Sequence, residues 1–284
     1  MKRGLVFAGG YVAGVAWEFG VLRGLQDVNA DLLAKVIAAD VVVGTSAGAT
    51  VAAQITSRTA LDTLYAAQLS QEPAEIAVDV DMPELMARLA KIAETTASAS
   101  ATDIRRQIGA MAVATQTTVD EPTYRASRAA RLSGQTWSAR DVRMVAVDTD
   151  SGEPKVFTRD SDVALVDAVA ASSAFPGIWP PVTIGEHRYM DGAIRSPTNA
   201  DLAAGCDRVL VLTPSSADSP RLFGSMEDEI KSLEPADVRV VYADAASLVA
   251  FGANPVSPST RTPAAHAGRD LGRTLAADLE WFAG

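Results

Sequence analysis

The nine residues Asp40-Val41-Val42-Val43-Gly44-Thr45-Ser46-Ala47-Gly48, DVVVGTSAG, carry the decision about the fold. Three consecutive β-branched residues predict a strand buried on both faces, as inside a parallel sheet. Small residues follow at once, and Ala47 to Thr56 predicts a helix. A strand that turns straight into a helix around Gly-x-Ser-x-Gly fits two descriptions. Ser46 is either a nucleophile raised on a strained turn, where Cβ atoms at positions 44 and 48 would collide, or an ordinary helix N-cap between two glycines. In the first case the free N–H groups and positive dipole end of the new helix face the serine.

Around this stretch, Gly4 to Ala8 predicts a second short buried strand. The glycine-rich loop Gly9-Gly10-Tyr11-Val12-Ala13-Gly14 follows, then a helix over Val15 to Val28 with Val15, Phe19 and Leu22 on one face. The chain therefore opens as strand, loop, helix, strand, turn, helix, the start of a parallel α/β sheet. From about residue 59 to 133 four helical stretches succeed one another without a strand. This insertion reads equally as packing against the sheet or as a lid over a site. Strands return at Val142 to Val147 and Val156-Phe157. Ser161 predicts the N-cap of a helix through SDVALVDAVAASSAF, and PVTIGEHRYMDG predicts a hairpin ending at Asp191-Gly192. DRVLVLTP and VRVVYAD are two further core strands, each followed by a helical stretch. NPVSPSTRTP predicts a surface loop before a last helix through Trp281. No internal repeat or linker interrupts residues 1–284, which read as one domain of three α/β/α layers around a mainly parallel sheet.

With 48% hydrophobic residues in 284, the chain has ample material for a core. A net charge of −10 lacks the footprint of a nucleic-acid binder and argues against adsorption to anionic lipid through a basic patch. A single cysteine, Cys206, leaves no intramolecular disulfide and suits a reducing, cytoplasmic setting. With only His187 and His266 beside it, a metal site would rest on carboxylates, so neither metal nor cofactor is expected. Glycines at 9, 10 and 14 break the apolar run that a secretion signal needs, and no run is long enough to span a bilayer.

The loop after the first strand is no dinucleotide site, because Tyr11 stands where backbone must approach a pyrophosphate, and no Gly-Lys-Ser/Thr follows. An oxyanion hole fits better, with N–H groups of Gly9, Gly10 and Tyr11 joined by that of Ala47. The base is the open question. Asp191 and His266 complete a Ser-acid-His order, but Ser46 follows only one earlier strand, and His266 lies at the start of the last helix. Asp191 alone is the other candidate. A carboxylate with a pKa near ~3.9 is a weak base for a hydroxyl, yet an apolar setting raises it, and Gly192 admits close approach. Asp-Gly is also a common hairpin turn.

Three elements together resemble the patatin-like phospholipases, over nearly the whole chain. That family carries a G-G-G-x-x-G loop on its first strand, a G-x-S-x-G turn on the next, and a distant D-G-[GA]. Here these are Gly9 to Gly14, Gly44 to Gly48, and Asp191-Gly192-Ala193, and AASSAFPGIWPPV resembles the family's helix-then-proline segment. The resemblance implies a serine lipid acyl hydrolase whose Ser46 and Asp191 form a dyad without histidine, metal or cofactor. It also implies a lipid or ester substrate and transient contact with a membrane surface, here through apolar helices between Leu61 and Ala114. Two departures stand out: Tyr11 replaces the third glycine, and Ala13 replaces a residue often basic. The rivals are a lipid- or acyl-binding protein that has lost turnover through Tyr11, and a Ser-His-Asp esterase using His266.

Overall fold

The computed structural model describes residues 1–284 apart from 71–74, 96–99, 133 and 223. The sheet has eight strands: β1 (Arg3–Phe7), β2 (Val41–Gly44), β3 (Asp141–Asp148), β4 (Pro154–Phe157), β5 (Val182–Ile184), β6 (His187–Asp191), β7 (Arg208–Thr213) and β8 (Asp237–Tyr242). Their order is β5-β6-β3-β2-β1-β7-β8, with β4 also paired to β3. The run β3-β2-β1-β7-β8 is parallel, and β4, β5 and β6 are antiparallel additions at the β3 end.

Alternation along the parallel strands divides the core in two. Leu5, Phe7, Val42, Leu210 and Leu212 face the larger cluster, which includes buried residues of α1 (Tyr11–Val28), α3 (Ala47–Ile55), α8 (Leu165–Ser172) and α11 (Arg261–Ala283). Val6, Val41, Val43, Val209 and Val211 face a smaller one. It is closed by a 3₁₀ turn (Ala200–Ala203), with Met226 of α9 (Met226–Ser232) packed against it. The three layers are therefore uneven.

α1 and α11 meet backbone to backbone. A Cβ on Gly20 would lie 2.3 Å from the Ala265 carbonyl oxygen, and one on Gly268 would lie 2.3 Å from that of Trp17. Gly24 and Gly272 repeat the contact one turn on.

Among the described residues of the expected insertion there are four helices and no strand: α4 (Leu61–Leu69), α5 (Met82–Thr95), α6 (Ala101–Ala114) and α7 (Glu121–Leu132). Four local expectations fail. α1 begins at Tyr11, not Val15, so four of the six residues of the glycine-rich loop are already helix. A separate helix α2 (Ala30–Ile37) precedes β2, capped by the Asn29 side chain, which accepts from the Leu32 N–H at 3.0 Å. α8 starts after Ala164, because Ser161 instead closes a turn by accepting from the Thr158 N–H at 2.9 Å. The segment after α10 (Ala245–Phe251) is partly interior, with Val256 buried, and α11 takes up its last three residues.

Candidate active site

The site lies at the C-terminal ends of β1, β2 and β7. β1 is also where the chain order reverses, since β2 lies on one side and β7 on the other, a usual place for a ligand crevice. A cavity of about 320 Å³ opens there, lined by Gly10 and Tyr11 after β1, Ser46 after β2 and Pro214 after β7. The rest of its wall is largely apolar, including Met86 of α5, Phe175, Leu248 and Phe251.

Ser46 holds the N-cap position of α3 with φ 54° and ψ −117°, and its side chain makes no cap hydrogen bond. That backbone is strained for an L-residue. It is fixed from both sides by the end of α8: the Ser46 N–H donates to Ser172 Oγ at 3.0 Å, and Ser173 Oγ donates to the Ser46 carbonyl at 2.9 Å. Gly48 explains the motif's spacing, since a Cβ there would lie 2.1 Å from the Phe7 carbonyl oxygen. Only a glycine lets α3 leave the strand so close to β1.

The Ser46 hydroxyl donates to Asp191 Oδ2 at 2.7 Å. Sheet register brings the two together across most of the sequence. β2 pairs with β3 up to Gly44 against Met144, and β6 pairs with β3 from Ala146 against Asp191. The carboxylate thus falls just beyond the end of β2, where the serine turn begins. Asp191 Oδ1 accepts from the Ala193 N–H at 2.8 Å, and the Asp191 N–H donates to the Ala174 carbonyl at 3.0 Å. The hairpin turn falls at Gly185-Glu186, between β5 and β6, so Asp191-Gly192 is not that turn. A Cβ on Gly192 would lie 2.2 Å from the Val145 carbonyl oxygen, which accounts for the glycine.

Asp191 is fully buried. Burial raises its pKa from the ordinary 3.8 to about 7, against the lowering effect of hydrogen bonds from Ser46 and Ala193. A carboxylate so placed is a far better proton acceptor near neutrality than a solvated one.

Gly10 is extended at φ 178°, and Tyr11 lies in the left-handed region at φ 58°. The Tyr11 ring packs edge-on against Phe175, 5.4 Å between centroids. Gly9 departs from its expected role: its N–H donates to the Pro197 carbonyl at 2.8 Å, leaving no donor for an oxyanion. Its smallness still matters, since a Cβ there would lie 3.3 Å from Ser46 Cβ. Among the described residues the N–H groups of Gly10, Tyr11 and Ala47 meet no acceptor, as first-turn helix donors should not. The Gly14 N–H donates to Gly10, and that of Ala13 to Pro255 in the segment before α11.

Neither histidine touches the pair. His187 is exposed with Nδ1 2.7 Å from Asp148 Oδ2, and exposed His266 places Nδ1 3.5 Å from the Tyr65 hydroxyl. Among the described residues, no group of three or more His, Cys, Asp or Glu side chains is arranged to hold a metal ion. No described helix is long and apolar enough to cross a membrane.

Sequence reasoning missed the residues that hold this geometry. Ser172 and Ser173 were visible only as small helix residues. Asn199, fully buried, donates from Nδ2 to the Ser196 carbonyl at 2.7 Å, Thr45 Oγ1 at 3.0 Å and the Gly192 carbonyl at 3.3 Å. It thereby ties the serine turn to the aspartate turn, and nothing local in the sequence announces it.

Residues 5–204 match the patatin-like phospholipase family model. The chain belongs to the patatin-like phospholipase family. No curated protein matches it in sequence. Among solved structures it is similar to VipD from Legionella pneumophila, at 12% identity and a TM-score of 0.47, covering 98% of this chain and 67% of that one. It is also similar to the type III effector protein ExoU, at 18% identity and a TM-score of 0.44, covering 98% of this chain and 53% of that one. Membership in this patatin-like family supports lipid acyl hydrolysis as its activity.

Proposed function

We propose that the chain is a serine lipid acyl hydrolase working through a Ser46–Asp191 dyad and an acyl-enzyme. The observation that carries this is the 2.7 Å hydrogen bond from Ser46 Oγ to a buried carboxylate. Ser46 Oγ attacks the ester carbonyl as its proton passes to Asp191 Oδ2. The oxyanion forms at the unpaired N–H groups of Gly10, Tyr11 and Ala47. Collapse breaks the C–O bond, and Asp191 returns the proton to the departing alcohol. Water then attacks the acyl-serine, giving its proton to Asp191, and the serine is released with its hydroxyl restored. The acyl chain occupies the 320 Å³ apolar cavity, part of whose wall is Met86 of the helical insertion. That contact favours the insertion as a cover over the site. No histidine is within hydrogen-bond reach of either dyad member, which disfavours the triad.

One observation favours the second reading, an acyl-binding protein with little turnover. Tyr11 in the left-handed region carries about 1–2 kcal/mol of strain that glycine would not, right where oxyanion donors are needed. Labelling with a fluorophosphonate probe, with Ser46→Ala as control, tests the main reading. Rapid labelling of Ser46 with multiple turnovers on p-nitrophenyl esters supports it. A burst of one equivalent with no steady state would replace it with the second.

A further inference from the structure

One fully buried acid has no part in the acyl transfer. Glu18 lies on α1 with its side chain 0% exposed. Among the described residues neither of its carboxyl oxygens completes a hydrogen bond. The neighbour that acts on it is the backbone of Ala8, and burial outweighs that contact, raising its pKa well above the ordinary value. A carboxyl in such a place keeps its proton, because its charged form is far more costly to bury.

The described elements packed against α1 bring Glu18 no counter-charge. α3 has no titratable side chain, and neither has the 3₁₀ turn Pro258–Thr260. Arg23 of α1 pairs with Asp27 and with Asp62 of α4, and Asp27 also pairs with Arg269 and Arg273 of α11. His266 of α11 meets Tyr65 of α4, and Arg261 donates to the Ala67 carbonyl. Asp31 and Lys35 of α2, and Asp270, Asp278 and Glu280 of α11, are exposed. Arg3 and Arg208 begin β1 and β7, at the far end of the strands from Ala8.

Ala8 joins three parts of the site. Its N–H donates to the Leu212 carbonyl of β7 at 3.0 Å, its carbonyl accepts from the Gly48 N–H of α3 at 3.0 Å, and the glycine-rich loop follows it. One turn before Glu18, a Cβ on Gly14 would lie 3.0 Å from Pro214 Cγ and 3.5 Å from Ala47 Cβ. Glu18 thus lies one turn along α1 from the junction that carries the unpaired N–H groups of Gly10 and Tyr11. The first turn above it is strained, with Tyr11 at φ 58°.

We propose that Glu18 is a positioning residue: its neutral carboxyl seats the first turn of α1 on the end of β1, and loss of its proton unseats that turn together with the oxyanion donors it carries. An ionised Glu18 has no cation to meet, so it reaches water only if the turn lifts from Ala8, a movement that also relieves Tyr11. The device limits the site on the alkaline side, where Asp191 is already ionised. Its consequence for turnover rests on the serine hydrolase reading, so one arm of the test needs no turnover.

In that arm, hydrogen exchange of the Ala13 and Gly14 amides, both hydrogen-bonded in the seated turn, is followed from about pH 6 to 10. Corrected for intrinsic rates, protection in the parent should fall about tenfold per pH unit once Glu18 ionises, since opening is coupled to the loss of one proton. Glu18→Gln, which keeps the shape, and Glu18→Met, which avoids a buried amide, have no proton to lose and should hold their protection constant. Unchanging protection in the parent, or the same fall in either folded variant, overturns the proposal. In the second arm, the rate of fluorophosphonate labelling of Ser46 should level off as Asp191 ionises and fall again at higher pH in the parent, but not in Glu18→Gln. The fall should persist in Tyr11→Phe, which removes the other buried acid of α1 near the turn. Its disappearance there would assign the titration to the phenol and overturn the proposal, as would an equal fall in Glu18→Gln. If Ser46 never labels but protection follows Glu18, the seating role stands and the hydrolase reading fails.

Discussion

Asp191→Asn should inactivate the protein and at the same time stabilise it, increasingly so as pH rises. The Asp191 pKa moves from 3.8 to about 7 because the carboxyl is buried. Between those values the native state keeps a proton that the unfolded chain has released, so stability falls as pH rises through that window and levels off above pH 7. At about 1.4 kcal/mol per pKa unit, the full loss is about 4 kcal/mol, with about 3 kcal/mol of it between pH 5 and 8.5. Asparagine is neutral throughout, can keep the hydrogen bond from the Ala193 N–H, and lacks this dependence. Urea unfolding of both proteins from pH 5 to 8.5 isolates the effect, since all other titrating groups cancel in the difference. The two should differ by about 1 kcal/mol at pH 5 and by about 4 kcal/mol at pH 8.5 in favour of Asp191→Asn, a divergence of about 3 kcal/mol across the range. Parallel stability curves would refute the raised pKa, and with it the account of how a carboxylate serves as base. Esterase activity of the parent should rise about tenfold per pH unit up to about 7 and then flatten, as ionised Asp191 becomes the main form.

The remaining expectations are narrower. His187→Ala and His266→Ala should each keep kcat/KM within about tenfold, under ~1.4 kcal/mol of barrier; a loss near 10³-fold in folded His266→Ala would restore the triad. Tyr11→Phe should match the parent, since the ring meets Phe175 by its edge, and Tyr11→Gly should raise activity on long-chain over short-chain p-nitrophenyl esters. A loss of ~10²-fold on every chain length in Tyr11→Phe would place the hydroxyl in the oxyanion hole instead. Asn199→Ala leaves the Ser196 and Gly192 carbonyls and the Thr45 hydroxyl without its donor, so it should lower unfolding stability by about 2–3 kcal/mol and slow fluorophosphonate labelling. Labelling and stability both unchanged would show that the two turns hold themselves.

What was legible in the sequence was what local pattern can carry. Val41-Val42-Val43 followed by spaced glycines announces a buried strand, a sharp turn and a helix, and the three short motifs in order announce the family. What stayed hidden depends on distant partners. α1 begins at Tyr11 because Gly10 is extended and the Ala13 N–H finds Pro255, a residue from the far end of the chain. Gly9 looked like an oxyanion donor, but its N–H is taken by Pro197, which no spacing rule reveals. Ser172, Ser173 and Asn199 are ordinary small polar residues until the sheet register sets them around Ser46 and Asp191. Arg128 reads as one more charge on an amphipathic helix, and only the packing of Tyr124 and Trp179 shows that it faces inward.

The glycine contact between α1 and α11 sets a schedule for assembly. The first turn of α1 carries the donors that face Ser46, yet the helix that seats α1 is encoded most of the chain later, beyond residues 5–204 that define the family match. A chain emerging from synthesis holds Ser46 and Asp191 long before it holds α11. Until α11 docks, the bare faces of Gly20 and Gly24 lack the backbone they pack against in the finished fold, and the proposed oxyanion donors lack a fixed aim. On the hydrolase reading proposed above, competence is therefore a late event in the making of each molecule, with Ser46 synthesised well before the helix that completes its surroundings.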